Sequence, residues 1–156
     1  WDALALRQVT RSTSTTICSG ESINTLVDYR PFLELKAMDV GMVDVPWTGF
    51  AQSKLIIDLA ESHDIVMAPH NYYSHLSTFM AGHLCASTRS VQIMETDVDA
   101  APWRDEFFTE LPQIEDGHLV ISDAPGWGTD LNEAAIAKRP WKGSIPAPGV
   151  LNLRRE

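Results

Sequence analysis

Glu21, Asp44, His70 and Glu95 recur at intervals of roughly 25 residues, close to the length of one strand–helix unit in an alternating chain. Each stands in or just beyond a short run of β-forming residues. Glu21 follows Thr15-Thr16-Ile17-Cys18, Asp44 lies late in Gly41-Met42-Val43-Asp44-Val45, His70 follows Ile65-Val66-Met67-Ala68, and Glu95 follows Val91-Gln92-Ile93-Met94. In a barrel of parallel strands every C-terminal strand end opens on the same mouth, so residues in this register meet although they are far apart in sequence. Three carboxylates and an imidazole would then share one cavity. Facing carboxylates repel and resist desolvation unless a cation offsets them, and hard oxygen ligands suit Mg²⁺. Histidine is the side chain that exchanges a proton near neutral pH, and an adjacent Asp would fix its tautomer. Asp44 and His70 are therefore the candidate acid–base pair.

Helical segments separate these runs, as parallel strands require. Ser22 to Asp39 reads as helical, with Pro31 expected to kink it or start a new helix. Phe50 to Ser62 places Leu55, Ile56, Leu59 and Ala60 on one helical stripe, and Ser74 to Ser87 does so with Leu76, Phe79, Met80 and Leu84. The alternation ends near Asp99. From there prolines and glycines punctuate short pieces. Glu115-Asp116-Gly117-His118 suggests a turn into a short strand, Leu119-Val120-Ile121. Thr129 or Asp130 is a candidate cap for a helix from Leu131 to Lys138. Three regions follow: strand–helix units over 1–99, an irregular closing segment over 100–139, and an extended tail over 140–156.

Composition excludes several function classes. The 156 residues suit one domain or part of a larger one, and 44% apolar with 21% charged residues is an ordinary globular balance. A formal charge of −9 disfavours nucleic acid and anionic membrane surfaces as partners. No apolar run reaches membrane-spanning length, and Trp1-Asp2-Ala3-Leu4 has no signal-peptide character, which points to the cytoplasm. Cys18 and Cys85 are too few for a disulfide framework and are expected reduced and buried. The chain has no initiator Met, and Ala3 to Val9 reads as a helix already under way, so a fragment of a longer protein is expected.

Taken together, Cys18-Ser19-Gly20-Glu21, Val43-Asp44-Val45-Pro46-Trp47-Thr48-Gly49, Ala68-Pro69-His70-Asn71, Met94-Glu95 and Asp123-Ala124-Pro125-Gly126-Trp127-Gly128 resemble the C-terminal part of the mandelate racemase group of the enolase superfamily. The resemblance runs from about the first residue to about Lys138. It implies an α/β fold, the C-terminal half of a (β/α)8 TIM-type barrel, with a last segment returning toward a capping domain. It further implies loss of the proton α to the carboxylate of a Mg²⁺-bound acid. By this likeness Glu21 matches a metal-binding carboxylate and His70 the base that takes the proton. Asp44 matches its orienting partner, and Glu95 an acid beside the substrate carboxylate. An Asp-His dyad in this group is most often associated with dehydration of sugar acids, and that is the leading expectation. A racemase or epimerase of a 2-hydroxy acid is the alternative, and a catalytically incomplete half-barrel acting as scaffold is another. The group's first two metal carboxylates and a second base-bearing strand have no counterpart in this chain, and its customary paired glycines appear as Gly49-Phe50. A missing N-terminal half or a homo-oligomer is therefore expected.

Other polar residues carry blander expectations. His75 and His83 are expected to cap, pack or face solvent, and His63 and His118 to be exposed. Asn71 and Tyr72 are expected in ordinary loop roles, and Trp47, Trp103, Trp127 and Trp141 in packing.

Overall fold

The computed structural model describes residues 1–98 and 101–140. Three short strands, β1 (Cys18–Ser19), β2 (Val40–Gly41) and β3 (Val66–Met67), pair in parallel in that order. Cys18 lies opposite Val40, and Val40 opposite Val66. The expected fourth strand contributes a single parallel bridge, Val91 to Met67, and its backbone then follows β3 through Gln92 N–H to Met67 O and Glu95 N–H to Pro69 O. Sequential, parallel, side-by-side strands are the arrangement of a barrel wall. Glu21, Asp44, His70 and Glu95 all lie at or beyond the C-terminal ends of these four runs.

Helices fill the connections. α1 (Ala3–Arg11) begins at Ala3, because Asp2 is extended and its carboxylate accepts the Ala5 N–H at 3.0 Å. The helix is capped there instead of being already under way. α2 (Leu26–Glu34) is capped by Thr25, which accepts the Asp28 N–H. Pro31 neither ends it nor starts a new one: Val27, whose carbonyl loses its usual partner, is exposed, where water can bond it. α3 (Val45–Thr48) is a single turn, α4 (Phe50–Ser62) has the expected bounds, and α5 (His75–Ala86) fills the expected segment between Ser74 and Ser87. On α4 the buried stripe is Ser53, Ile56, Ile57 and Ala60, and Leu55 is 56% exposed. This corrects the expected stripe by one position, since a helix face repeats at i, i+3, i+4 and i+7. Tyr29, Leu33, Ile56, Ile57, Met67 and Leu84 form the centre of the core.

Beyond the gap at 99–100, β4 (Ile114–Glu115) and β5 (His118–Leu119) make an antiparallel hairpin. Asp116 and Gly117 both have positive φ, 49° and 78°, the two-residue turn whose twist matches that of its strands. Gly82 on α5 lets the hairpin close on it, for a Cβ there would lie 2.5 Å from Leu119 Cδ2. α6 (Glu133–Ala137) is shorter than expected and is capped by Asn132, not by Thr129 or Asp130. Those two residues are engaged elsewhere: Thr129 Oγ1 bonds Glu110 at both N–H and O, and the Asp130 N–H donates to Thr109. The expected tail lies outside the described residues apart from Pro140. Among the described residues no helix is long and apolar enough to cross a membrane.

Gly20 joins β1 to Glu21 with φ of 114°, and a Cβ there would meet the Tyr29 phenol at 2.5 Å and Met42 O at 3.1 Å. Tyr29 cannot yield easily, being fully buried and donating its O–H to Met42 O at 2.8 Å. Burial pushes that phenol's pKa upward, so it remains a donor. Gly20→Ala therefore combines a strained backbone with overpacking, and we expect it to lower stability by about 3 kcal/mol, read as a reduced urea midpoint at unchanged slope. An unaltered midpoint would show that the turn relaxes freely.

Candidate functional site

Asp44 is placed by the turn between β2 and α3. Val43 ends the apolar run, Pro46 fixes the backbone at the start of the helix, and Asp44 caps it, its Oδ1 accepting the Trp47 N–H at 3.1 Å. The neighbouring strand end presents His70, whose N–H donates to Val43 O at 2.9 Å and which forms a parallel bridge with Asp44. Strand pairing thus brings the two side chains together. Nδ1 of His70 lies 2.7 Å from Asp44 Oδ2. Asp44 is only 2% exposed, and its carboxylate has acceptor oxygens only, so in the neutral imidazole the proton belongs on Nδ1 and Nε2 is left bare.

Nε2 points toward Glu95, whose Oε2 is 3.5 Å away. Two bare acceptors cannot bond, but once Nε2 has gained a proton the imidazolium lies between two carboxylates. Glu95 is held by Asn71 rather than left in an open acidic loop. The Asn71 N–H donates to Glu95 Oε2 at 2.9 Å, and its side-chain amide donates to Glu95 O and to Thr78. Asn71 is buried, and its own Oδ1 accepts from Ser77 at 2.5 Å. The expected loop role of Asn71 is in fact that of a brace, tying the loop after His70 both to α5 and to the fourth strand end.

Glu21 sits at the same end of the sheet, half-buried, accepting a hydrogen bond from Ser22 at 3.2 Å. Its link to the others is electrostatic. The Cys18 thiol is held above its usual pKa first by partial desolvation and then by the charges of both Glu21 and Glu95. These two acids thus act on one side chain from neighbouring positions. Cys18 is exposed and Cys85 half-buried, against the expectation that both are buried: Cys18 stands on β1 at the edge of the three-stranded sheet, and Cys85 in the last turn of α5. Both thiols are free. Burial pushes the Cys85 thiol up to about 11.

Two aromatic residues at the site were not marked out by sequence. Tyr73 donates its O–H to Asp44 Oδ2 at 2.7 Å and stands edge-on to His70, ring centres 5.8 Å apart. Burial, and after it the Asp44 carboxylate, raise its pKa, so the phenol stays protonated and donating. Trp47, expected only to pack, is half-exposed, and its backbone N–H is the one that Asp44 Oδ1 accepts. A Tyr-Tyr pair three residues past a histidine is the signal available in sequence, and it does not say which ring turns inward.

The other histidines behave mostly as expected. His75 is buried, 2.7 Å from Asp105, and His83 packs on Trp127. His118 is exposed, whereas His63 is half-buried as the C-cap of α4. Trp127 packs on Phe50, and Trp103 on Phe107. Trp141 lies outside the described residues. Among the described residues no group of three or more His, Cys, Asp or Glu is arranged to hold a metal ion.

Known proteins resemble this chain in sequence and in fold. A family model described as enolase C-terminal domain-like matches residues 1–135. A D-galactonate dehydratase family member of Oceanicola granulosus is 34% identical over 93% of this chain and 36% of its own length. The D-xylonate dehydratase of Haloferax volcanii is 30% identical over 82% of this chain and 31% of its own. Among solved structures, a protein from Burkholderia xenovorans named for L-alanine-DL-glutamate epimerase activity, solved with magnesium and fumarate, superimposes with a TM-score of 0.86. It is 40% identical and covers 90% of this chain and 35% of its own. A mandelate racemase/muconate lactonizing enzyme-like protein from Rubrobacter xylanophilus gives a TM-score of 0.83 at 35% identity, over 93% of this chain and 37% of its own. The chain spans about a third of the length of the curated relatives it matches.

Proposed function

Since the chain belongs to the enolase C-terminal domain-like family, we propose that His70 takes the proton α to the carboxylate of a small acid, with Asp44 as its orienting partner. The observation that carries this reading is the 2.7 Å contact from His70 Nδ1 to a buried Asp44 carboxylate, which leaves Nε2 bare and directed into the site. A base must meet its proton within hydrogen-bond reach, and Nε2 is the atom so directed. When Nε2 has taken the proton, Asp44 on one side and Glu95 on the other stabilise the charge. Glu95 is proposed to lie beside the substrate carboxylate, where charge builds as the α carbon–hydrogen bond breaks.

For the whole protein the proposed reaction is dehydration of a sugar acid to a 2-keto-3-deoxy acid. The α proton goes to His70 and the β carbon–oxygen bond breaks. The same Nε2–H supplies the proton that leaves with the hydroxyl as water, and the enol product becomes the ketone. The names of the sugar-acid dehydratases among the relatives support the substrate class. Reprotonation at carbon, giving an epimer, is the second reading, supported by the epimerase name of a neighbour at 40% identity.

Magnesium does not fit the described residues as a resident ion by themselves. Glu21 is one carboxylate, and an octahedral hard cation needs several oxygens. We propose Glu21 as one contributor to a ligand set completed outside this chain. Such an ion, when bound, would stabilise negative charge on the substrate's carboxylate.

The test is proton NMR in D2O of the whole protein with Mg²⁺ and a panel of aldonic acids. Dehydration is read as loss of substrate signals with a deuterium-labelled 3-deoxy product, epimerisation as deuterium at the α carbon of recovered acid. Absence of both across the panel overturns the reading.

A further inference from the structure

The carboxylate of Asp44 accepts more donors than an acid–base pair requires. Oδ2 accepts from His70 Nδ1 and from the Tyr73 phenol, each at 2.7 Å, while Oδ1 accepts the Trp47 N–H at 3.1 Å. The donor directions are forced by the groups themselves. A carboxylate can only accept, so the phenol and the imidazole Nδ1–H both donate to Asp44. Phenol and imidazole converge as donors on one carboxylate oxygen. Core packing does not explain it, for Tyr73 is 40% exposed and a phenylalanine ring would fill the same space. The ring that donates to the acid also stands edge-on to the base, at 72°.

We propose that Tyr73 is a positioning residue for the pair: its phenol pins Asp44 Oδ2 where that oxygen meets Nδ1 of His70, and so decides which imidazole nitrogen faces the substrate. The inference rests on the reading of Asp44 and His70 given above. Rotating the carboxylate away from His70 would break three hydrogen bonds at once; without the phenol it would break two. Holding the acid still keeps the proton on Nδ1 and Nε2 bare.

The experiment compares the protein with its Tyr73→Phe variant, reading the His70 ring nitrogens and the solvent exchange of the Nδ1 proton by NMR. In the parent protein the neutral ring should carry its proton on Nδ1. Tyr73→Phe should speed exchange of that proton roughly tenfold, the size of one hydrogen bond to a charged group, and bring in the second tautomer. A structural role alone would move thermal stability and leave the tautomer untouched. Exchange and tautomer unchanged in Tyr73→Phe, with the parent ring protonated on Nδ1, would overturn the role of Tyr73 alone. A parent ring protonated on Nε2 would overturn both this inference and the base assignment beneath it.

Discussion

His70→Asn in the whole protein should abolish exchange of the substrate's α proton with solvent, by roughly 10³-fold or more, while leaving the fold and any metal affinity nearly intact. The amide of asparagine can still donate to Asp44 Oδ2, which accepts from His70 Nδ1 at 2.7 Å, so the buried carboxylate is not left without a partner. What is lost is the capacity to take a proton at neutral pH. Glu95 remains braced by the Asn71 backbone, so little else moves. The measurement is deuterium incorporation at the α carbon, followed beside circular dichroism and a metal titration. Persistent incorporation in a folded variant would refute His70 as the base.

Asp44→Asn should be almost as damaging by a different route. Asparagine is as good a helix cap as aspartate, and its amide oxygen can keep the Trp47 N–H bond, so the cap itself should change by no more than about 1 kcal/mol, with a further loss because the Tyr73 phenol can no longer donate at the Oδ2 position. In that orientation the amide NH₂ replaces Oδ2 and faces His70 Nδ1. Two donors cannot meet, and the imidazole must turn Nδ1 into an acceptor and carry its proton on Nε2. The base is then blocked at the atom that has to take the proton. We expect a fall of about 10³ to 10⁴ in the exchange rate, the scale seen when a catalytic histidine is held in the wrong tautomer, together with a shift of the ring nitrogen resonances. A rate within about threefold of the parent protein, against the general 10²-fold or larger effect of a positioned base, would show that Asp44 does not orient His70.

Each of these effects depends on an interplay of near and distant residues. The cap that places Asp44 is local, written in Asp44-Val45-Pro46-Trp47. The partner that makes the carboxylate useful is 26 residues away and arrives only because β2 and β3 pair in register, with Val40 opposite Val66. A slip of one residue would turn His70 to the other face of the sheet.

Much of the architecture was legible for such local reasons. α4 and α5 follow from apolar spacing and from their flanking residues, and the hairpin turn follows from Asp116-Gly117, where positive φ is tolerated. The strand register of Asp44, His70 and Glu95 was legible too, because a parallel barrel repeats at a nearly constant length. Exposure was less so: hydropathy marks Leu55 as a core residue, while the face of α4 that meets α2 and the sheet buries Ile57 instead. The cap of α6 was misplaced because Thr129 and Asp130 bond to Thr109 and Glu110, some 20 residues upstream.

What the sequence determined by itself was the identity and order of the chemical groups: an acid and an imidazole on adjacent strand ends, a further acid on each flanking strand, and the turns that aim them. What only the tertiary structure decided was the second circle of contacts. Tyr73 rather than Tyr72 reaches Asp44, and Asn71 braces Glu95. The physical reason is range. Turn, cap and strand preferences act over a few neighbouring residues and can be read along the chain. A hydrogen bond between groups 24 or 29 positions apart exists only where the packed backbone brings donor and acceptor within about 3 Å.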